Sequence, residues 1–316
     1  MHLLPRPQEM LLQDNVFYVD YTAEICIDPE ASPEWLHYAS LLQKEIEQDT
    51  GFHLNINRNL PVFQTPSILL KSTSGHSQQE YTLRIRESGI LLTASSNSGM
   101  LYAIQTLRQI IRQEGACLPG LDIHDFPVIS NRGLYYDVTR SRIPTLSYLK
   151  KMADTLSFYK INQLHLYIEH TYMFRNLSEV WRDDTPLTSS DILELDRYCA
   201  DLGIELVPSI ASFGHLYKIL RTKSFRHLCE REDLCEEPFG FIDRMEHHTI
   251  DVSNEESFSF IWSLIEEYLP LFRSDKFNIC GDETFDLGTG KSHELAEREG
   301  TQQLYIQYIK KLCDAL

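Results

Sequence analysis

Phe277-Asn278-Ile279-Cys280-Gly281-Asp282-Glu283-Thr284 is a short apolar run, a glycine and then two adjacent carboxylates. Side chains alternate along a strand, so Asp282 and Glu283 can share one pocket only where the strand ends and the backbone turns. In parallel α/β sheets and barrels, that strand end is where the chemistry sits. Two carboxyls that flank a glycosidic bond stand about 5 Å apart in retaining enzymes and farther apart in inverting ones. Consecutive residues flank nothing. They suit another division of labour, in which one carboxyl is the general acid/base and its neighbour steers a nucleophile carried by the substrate. The competing reading is a solvent-exposed Asp-Glu pair at a helix start, the commoner use of such a dipeptide.

Upstream of this run the pattern alternates strand and helix. Leu134 to Val138 is followed by a helix from about Thr145, with Leu146, Leu149, Met152 and Leu156 on one face. Gln163 to Glu169 is the next strand, and Ser189 caps a helix ending at Gly203. Glu205 to Ile210 is the third strand. Ser253 caps a helix through Phe260, Ile261, Leu264 and Tyr268 that leads to Phe277, and Gln302 to Leu316 forms the last helix. Four successive βα units over residues 123–316 predict an α/β parallel sheet or part of a barrel. Residues 1–122 read instead as a small α+β domain. It comprises a strand at Thr22 to Ile27, a helix opened by Ser32-Pro33 and closed by Gly51, and a strand from Ser67 to Lys71. A hairpin pairs Tyr81–Arg86 with Ile90–Ala94, and a helix behind Ser98 carries Met100, Leu101, Ile104, Leu107, Ile110 and Ile111. Asp122 to Pro127 is expected to link the two.

Composition narrows the function classes. The chain has 316 residues and a formal net charge of −17, so phosphate backbones are repelled and nucleic acid is a poor partner. Its seven cysteines, Cys26, Cys117, Cys199, Cys229, Cys235, Cys280 and Cys313, include no C-x-x-C pair and no regular spacing, which argues for reduced thiols rather than a disulfide framework or zinc ribbon. No segment reaches the roughly 20 apolar residues of a membrane span, and the start carries no apolar stretch of signal-peptide length, so no membrane partner and a cytoplasmic location are expected.

In order, Arg132-Gly133 opens the first barrel-like strand, His165 lies on the second, Ser212-Phe213-Gly214-His215 follows the third, and Gly281-Asp282-Glu283 follows the fourth. This series resembles glycoside hydrolase family 20, the β-N-acetylhexosaminidases, and Glu80 to Arg112 resembles the non-catalytic domain that precedes that family's barrel. The resemblance implies a (β/α)8 TIM-barrel catalytic domain and an N-acetylhexosamine glycoside as substrate, with no cofactor and no metal. It implies that Glu283 protonates the leaving oxygen. Asp282 orients the 2-acetamido group, whose carbonyl attacks the anomeric carbon. Arg132 would grip sugar hydroxyls, His215 would support the carboxylates, and Glu169 and His165 would contact substrate. Each has a structural alternative: an ion pair for Arg132, a hydrogen-bonded core histidine for His165, a cap or surface charge for Glu169. Trp181, in a loop before Pro186, could cover a sugar face. Cys280 stands where the family often has glycine, and Leu164 to His170 lacks the family's Trp and Asp, marking a divergent branch.

Length departs most from the resemblance. A complete barrel takes about 250 residues, and only four βα units follow the expected linker. A half-barrel exposes sheet edges that invite pairing with another copy, so either a homo-oligomer or a fragment of a longer gene product is expected, and weak or no activity for the isolated chain. Two other functions stay open: a non-catalytic carbohydrate-binding or scaffold protein of the same fold, and a barrel hydrolase with a protein nucleophile.

Overall fold

The computed structural model describes residues 1–61, 66–140, 142–236 and 239–316, which form two compact units. The first comprises Met1–Arg132, Ala153–Asn162 and Asp201–Ile204. The second comprises Gly133–Met152, Gln163–Ala200 and Glu205–Leu316.

The first unit is built on a seven-stranded mixed sheet in the order β1-β7-β5-β6-β4-β2-β3. The strands are β1 (Glu9–Tyr18), β2 (Glu24–Ile27), β3 (Asn55–Asn57), β4 (Ser67–Ser72), β5 (Tyr81–Arg86), β6 (Gly89–Ala94) and β7 (Cys117–Asp125). Strict alternation explains the hairpin, since Tyr81, Leu83 and Ile85 of β5 and Ile90, Leu92 and Ala94 of β6 are buried, with Arg86 opposite Gly89. Helices α1 (Trp35–Thr50) and α2 (Asn97–Glu114) bury their apolar stripes in the same core as these strands. Gly51 ends α1 in the left-handed conformation at φ 79.

Several expected boundaries move, each for a local reason. Ser96, not Ser98, caps α2 by accepting the Gly99 N–H at 3.1 Å. The Ser32 hydroxyl bonds the Glu34 carboxylate instead of a helix N–H. Asp122–Asp125, expected as linker, is the end of β7, with Asp125 opposite Tyr81 and His124 opposite Glu9. The strand hides in the sequence because Pro119-Gly120 interrupts its alternation. Strands β1 and β3 are also absent from the sequence reading.

Within the first unit, Lys160 reaches a buried cluster. Its ammonium lies 2.8 Å from the Tyr81 hydroxyl and 2.9 Å from Asp125 Oδ2, and the Tyr81 hydroxyl donates to the same carboxylate at 2.8 Å. Burial lowers the Lys160 pKa, with the Asp125 charge opposing.

The second unit carries parallel strands β8 (Gly133–Asp137), β9 (Gln163–Tyr167) and β10 (Glu205–Val207), side by side in chain order. Gln163 is opposite both Gly133 and Glu205. The fourth strand expected at Phe277 shrinks to one bridge: Asn278 accepts from Ile210 N at 3.2 Å and donates to Pro208 O at 2.9 Å. Beyond it the chain turns at Cys280, φ 46, and pairing stops. Helix α3 (Leu146–Phe158) follows β8, and helices over Ser189–Asp201, Glu255–Tyr268 and Thr301–Ala315 follow in turn. This is the sequential, parallel strand–helix order of a (β/α)8 barrel. Among the described residues, no helix is long and apolar enough to cross a membrane.

Candidate active site

The turn after Asn278 brings the two consecutive carboxylates together. Asp282 Oδ2 lies 3.3 Å and Glu283 Oε2 3.1 Å from one atom, Nε2 of His215. The imidazole is buried while both carboxyls stay open to solvent, and the ring faces them at ion-pair distance without the alignment of a hydrogen bond. His215 pulls the Asp282 pKa below the usual carboxylate value, against the upward push of burial and with help from the Arg140 charge.

The backbone that achieves this convergence is left-handed at His215 (φ 59), Cys280 (φ 46) and Glu283 (φ 50), where non-glycine residues are rarely found. Side chains from several elements hold it. Ser212 donates to Ile279 O, Tyr305 to Gly281 O at 2.9 Å, and Tyr308 to Ser212 O at 3.0 Å. Cys280 N donates to Asn278 Oδ1 at 3.1 Å, while its sulfur sits 3.2 Å from the Tyr135 hydroxyl and 3.3 Å from Ser209 Oγ.

His215 also lines a cavity of about 380 Å³. Glu169 is buried in its wall, where it accepts the Tyr167 hydroxyl at 2.9 Å and faces Arg140 Nη2 at 3.2 Å. Burial raises the Glu169 pKa, and Arg140 opposes the shift. Arg140 in turn bonds Asp137 Oδ2 at 2.7 Å and lies over the Tyr167 ring, 4.7 Å from its centroid. Asp137 closes a turn by accepting the Thr139 and Arg140 N–H groups at 2.8 and 3.0 Å. Burial pushes its carboxyl up, yet the Arg140 and backbone hydrogen bonds leave it below the ordinary value. His170, also in the wall, has its pKa pushed down to about 4, first by burial and then by the Lys218 charge.

Of the residues singled out from sequence, Asp282 and Glu283 converge on His215, and His215 and Glu169 share the cavity wall. Arg132 is a correction: its guanidinium is consumed inside the first unit. It donates to Lys160 O, Gln79, Ile129 O, Ser130 O and the Tyr102 hydroxyl. Nε and Nη1 are fully engaged and Nη2 holds the Tyr102 hydroxyl, so the group is anchored in this cluster rather than presented to a sugar. His165 is a second correction. Its ring sits on β9 edge-on to Tyr135, 5.9 Å between centroids, and is absent from the cavity wall. Trp181 is tied down by its indole N–H to Phe174 O at 2.8 Å and is likewise outside the wall. Sequence reasoning missed Arg140 and Asp137. The signal was Asp137-Val138-Thr139-Arg140 at a strand end, where an Asp opens a turn that returns the arginine to it. Among the described residues, no three His, Cys, Asp or Glu side chains form a metal-binding group.

Comparison with known proteins places both halves of the chain. Residues 1–126 match the sequence model described as glycosyl hydrolase family 20, domain 2, and residues 130–314 match that of the glycosyl hydrolase family 20 catalytic domain. A beta-hexosaminidase of Porphyromonas gingivalis is 25% identical over 313 residues, covering 90% of this chain and 39% of the relative. One from Vibrio furnissii is 24% identical, with coverages of 95% and 52%. Among solved structures, a Flavobacterium johnsoniae chitobiase superposes with a TM-score of 0.81 at 22% identity, over 97% of this chain and 50% of its own. A GH20 beta-N-acetylhexosaminidase from Streptomyces coelicolor gives 0.77 at 21%, over 96% and 64%. The chain thus spans between 39% and 64% of the length of these relatives.

Proposed function

The chain belongs to glycoside hydrolase family 20, and on that premise we propose that it takes part in removing terminal β-linked N-acetylhexosamine from glycans, with the substrate's own acetamido group as nucleophile. The observation that carries this reading is the convergence of Asp282 and Glu283 on His215 at 3.3 and 3.1 Å. Adjacent carboxyls do not straddle a glycosidic bond, but they can serve its two sides if the nucleophile comes from the sugar.

In the first step the acetamido carbonyl oxygen bonds to the anomeric carbon, the bond to the leaving oxygen breaks, and the Glu283 proton goes to that oxygen. Asp282, held ionised by His215, accepts the acetamido N–H and balances the positive oxazolinium ring. In the second step Glu283, now a carboxylate, takes a proton from water as its oxygen attacks the anomeric carbon. The ring opens with retention. Arg140 and Glu169, fixed by Asp137 and Tyr167, supply polar groups for the sugar hydroxyls in the cavity.

The test is binding of a thiazoline analogue of the oxazolinium ion, read by calorimetry on this chain. Binding that Asp282→Asn weakens about tenfold or more is the expected result. A wild-type chain that ignores the analogue overturns the reading. Binding without hydrolysis of any aryl N-acetylglucosaminide would favour a sugar-binding role for the isolated chain, whose half-length relative to its relatives makes weak turnover the expectation.

A further inference from the structure

Two buried carboxylates that the hydrolytic reaction does not use hold the segment that follows Glu283. Asp286, the third residue after it, is 4% exposed. Its Oδ1 lies 2.8 Å from Nδ1 of His247, and its Oδ2 accepts the His248 N–H at 3.0 Å. Between Asp286 and the acid/base the chain is a hydrogen-bonded turn. Leu287 N donates to Thr284 O at 3.1 Å, and Thr289 donates to Asp286 O from its N–H at 2.9 Å and its hydroxyl at 2.7 Å. Glu230, 1% exposed, grips the far end of the segment. It accepts the Gly290 N–H at 3.0 Å and the N–H and hydroxyl of Ser292 at 3.1 and 2.7 Å.

The partners of these acids lead back to the other half of the site. Residues 247–250 pair with the loop that carries His215: Ile250 N donates to Phe213 O at 3.0 Å, and Leu216 N donates to His248 O at 3.3 Å. Glu230 N donates to Thr249 O at 3.0 Å, which ties the second acid to the same stretch. His248 is left-handed at φ 73 and both its ring nitrogens are buried without a hydrogen-bond partner, so its main chain makes the connection. The path from His215 through Leu216, His248 and Asp286 to Glu283 closes on itself, because Glu283 faces the His215 ring at 3.1 Å. In such a circuit no member moves alone. A buried carboxylate is costly unless it is paired, and an apolar side chain would fill the same space, so these acids mark a segment whose placement depends on directed bonds.

We propose that Asp286 is a positioning residue for the carboxylate pair, holding the turn of Asp282 and Glu283 at working distance from His215 through residues 247–250. Asp286 is absent from the cavity wall, so it acts through these neighbours and not on the sugar. Its effect on the reaction rests on the hexosaminidase reading: Asp282 must orient an acetamido group while Glu283 meets the leaving oxygen, and a drift of their turn away from His215 spoils both alignments at once. Gly214 and Asp286 then have opposite duties. The glycine lets the two loops approach closely, and the acid keeps them from separating.

The experiment reads the His215 ring by nitrogen NMR in the ligand-free chain, and affinities for the thiazoline analogue and for N-acetylglucosamine by calorimetry. Asp286→Asn keeps the volume but turns one acceptor oxygen into an N–H donor. It should move the His215 signals and weaken the thiazoline about tenfold, with the neutral sugar weakened about threefold or less, because only the thiazoline needs both carboxyls in register. His247→Ala should do the same. His247→Asn, which offers an amide N–H where the ring nitrogen stood, should restore wild-type behaviour. A merely structural role gives a lower urea midpoint, equal losses for both ligands and no rescue, and that result overturns the proposal. Unmoved His215 signals in Asp286→Asn overturn it as well. If the wild-type chain ignores the thiazoline, the hexosaminidase reading falls, and the His215 signals alone decide whether Asp286 sets the spacing: moved signals support it and unmoved ones refute it.

Discussion

Replacing Gly214 with alanine tests whether the site depends on backbone placement. A Cβ built on Gly214 lies 2.7 Å from Asp282 O, 3.0 Å from Glu283 O and 3.3 Å from Glu283 C, all backbone atoms of the carboxylate turn. Ordinary contact begins near 3.4 Å, so the two segments must separate by about 0.7 Å. The Gly214 side cannot retreat easily. Phe213 is wedged against Tyr305 and Tyr308 at centroid distances of 5.5 and 4.5 Å, and His215 is buried. The displacement therefore falls on the Asp282–Glu283 peptide. Overpacking of this kind costs about 1–3 kcal/mol of stability, and a misplacement approaching 1 Å costs up to about 100-fold in function. Gly214→Ala should remain folded by circular dichroism, unfold at lower urea concentration, and bind the thiazoline analogue roughly 10- to 100-fold more weakly. A variant that binds like the wild type and has an unchanged urea midpoint would refute the idea that these two loops are locked together through this glycine.

Two further predictions concern the first unit. The buried Lys160–Asp125 pair should respond asymmetrically. Asp125→Asn strands a buried ammonium and costs about 3–5 kcal/mol. Lys160→Met leaves Asp125 with the Tyr81 hydroxyl and the Gln8 N–H at 3.2 Å, and costs about 2 kcal/mol. Equal losses in urea denaturation would contradict that partner count. Glu80 governs part of the acid limb. Its carboxyl is pulled down to about 2, first by the Ser77 backbone N–H and then by His124. A depressed carboxylate contributes stability above its unfolded value near 4.5 and loses it as pH falls toward 2. Glu80→Gln should therefore unfold with a shallower dependence over that window than the wild type. An unchanged acid profile would show that the hydrogen bonds do not persist in solution.

What was legible in the sequence tracks what is local. The hairpin at Tyr81–Ala94 and the stripe of α2 could be read because alternation and helical period are properties of neighbours. Strand β7 could not, because Pro119 and Gly120 break its pattern while pairing with β1 and β5 across long sequence separations restores it. The same division runs through the site. Asp282, Glu283 and His215 were marked by turn residues at strand ends, and they meet. Arg132 was misjudged because it precedes β8, at the opposite end of the strand from the turn that carries Asp137. In a parallel sheet the chemistry gathers at the C-terminal ends. Arg140, eight residues later and past that end, is the guanidinium that reaches Glu169.

The left-handed residues give the reason two neighbours in sequence can act in one place. In extended chain the side chains of Asp282 and Glu283 would point to opposite faces. A left-handed residue reverses the local twist, and Glu283 at φ 50, two residues after the Gly281 that follows Cys280 at φ 46, swings its carboxyl to the side already occupied by Asp282. Each such residue costs roughly 1–2 kcal/mol when it is not glycine. His215 carries the same penalty from the opposing loop. The hydrogen bonds from Ser212, Tyr305 and Tyr308 each return about 1 kcal/mol, which holds the arrangement without making it comfortable. Relaxing the backbone would be easy for the fold and would separate the carboxyls. Three of the five left-handed non-glycine residues described, His215, Cys280 and Glu283, lie in the two segments that form this site, and that clustering is better explained by what the carboxyls do together than by anything the core requires.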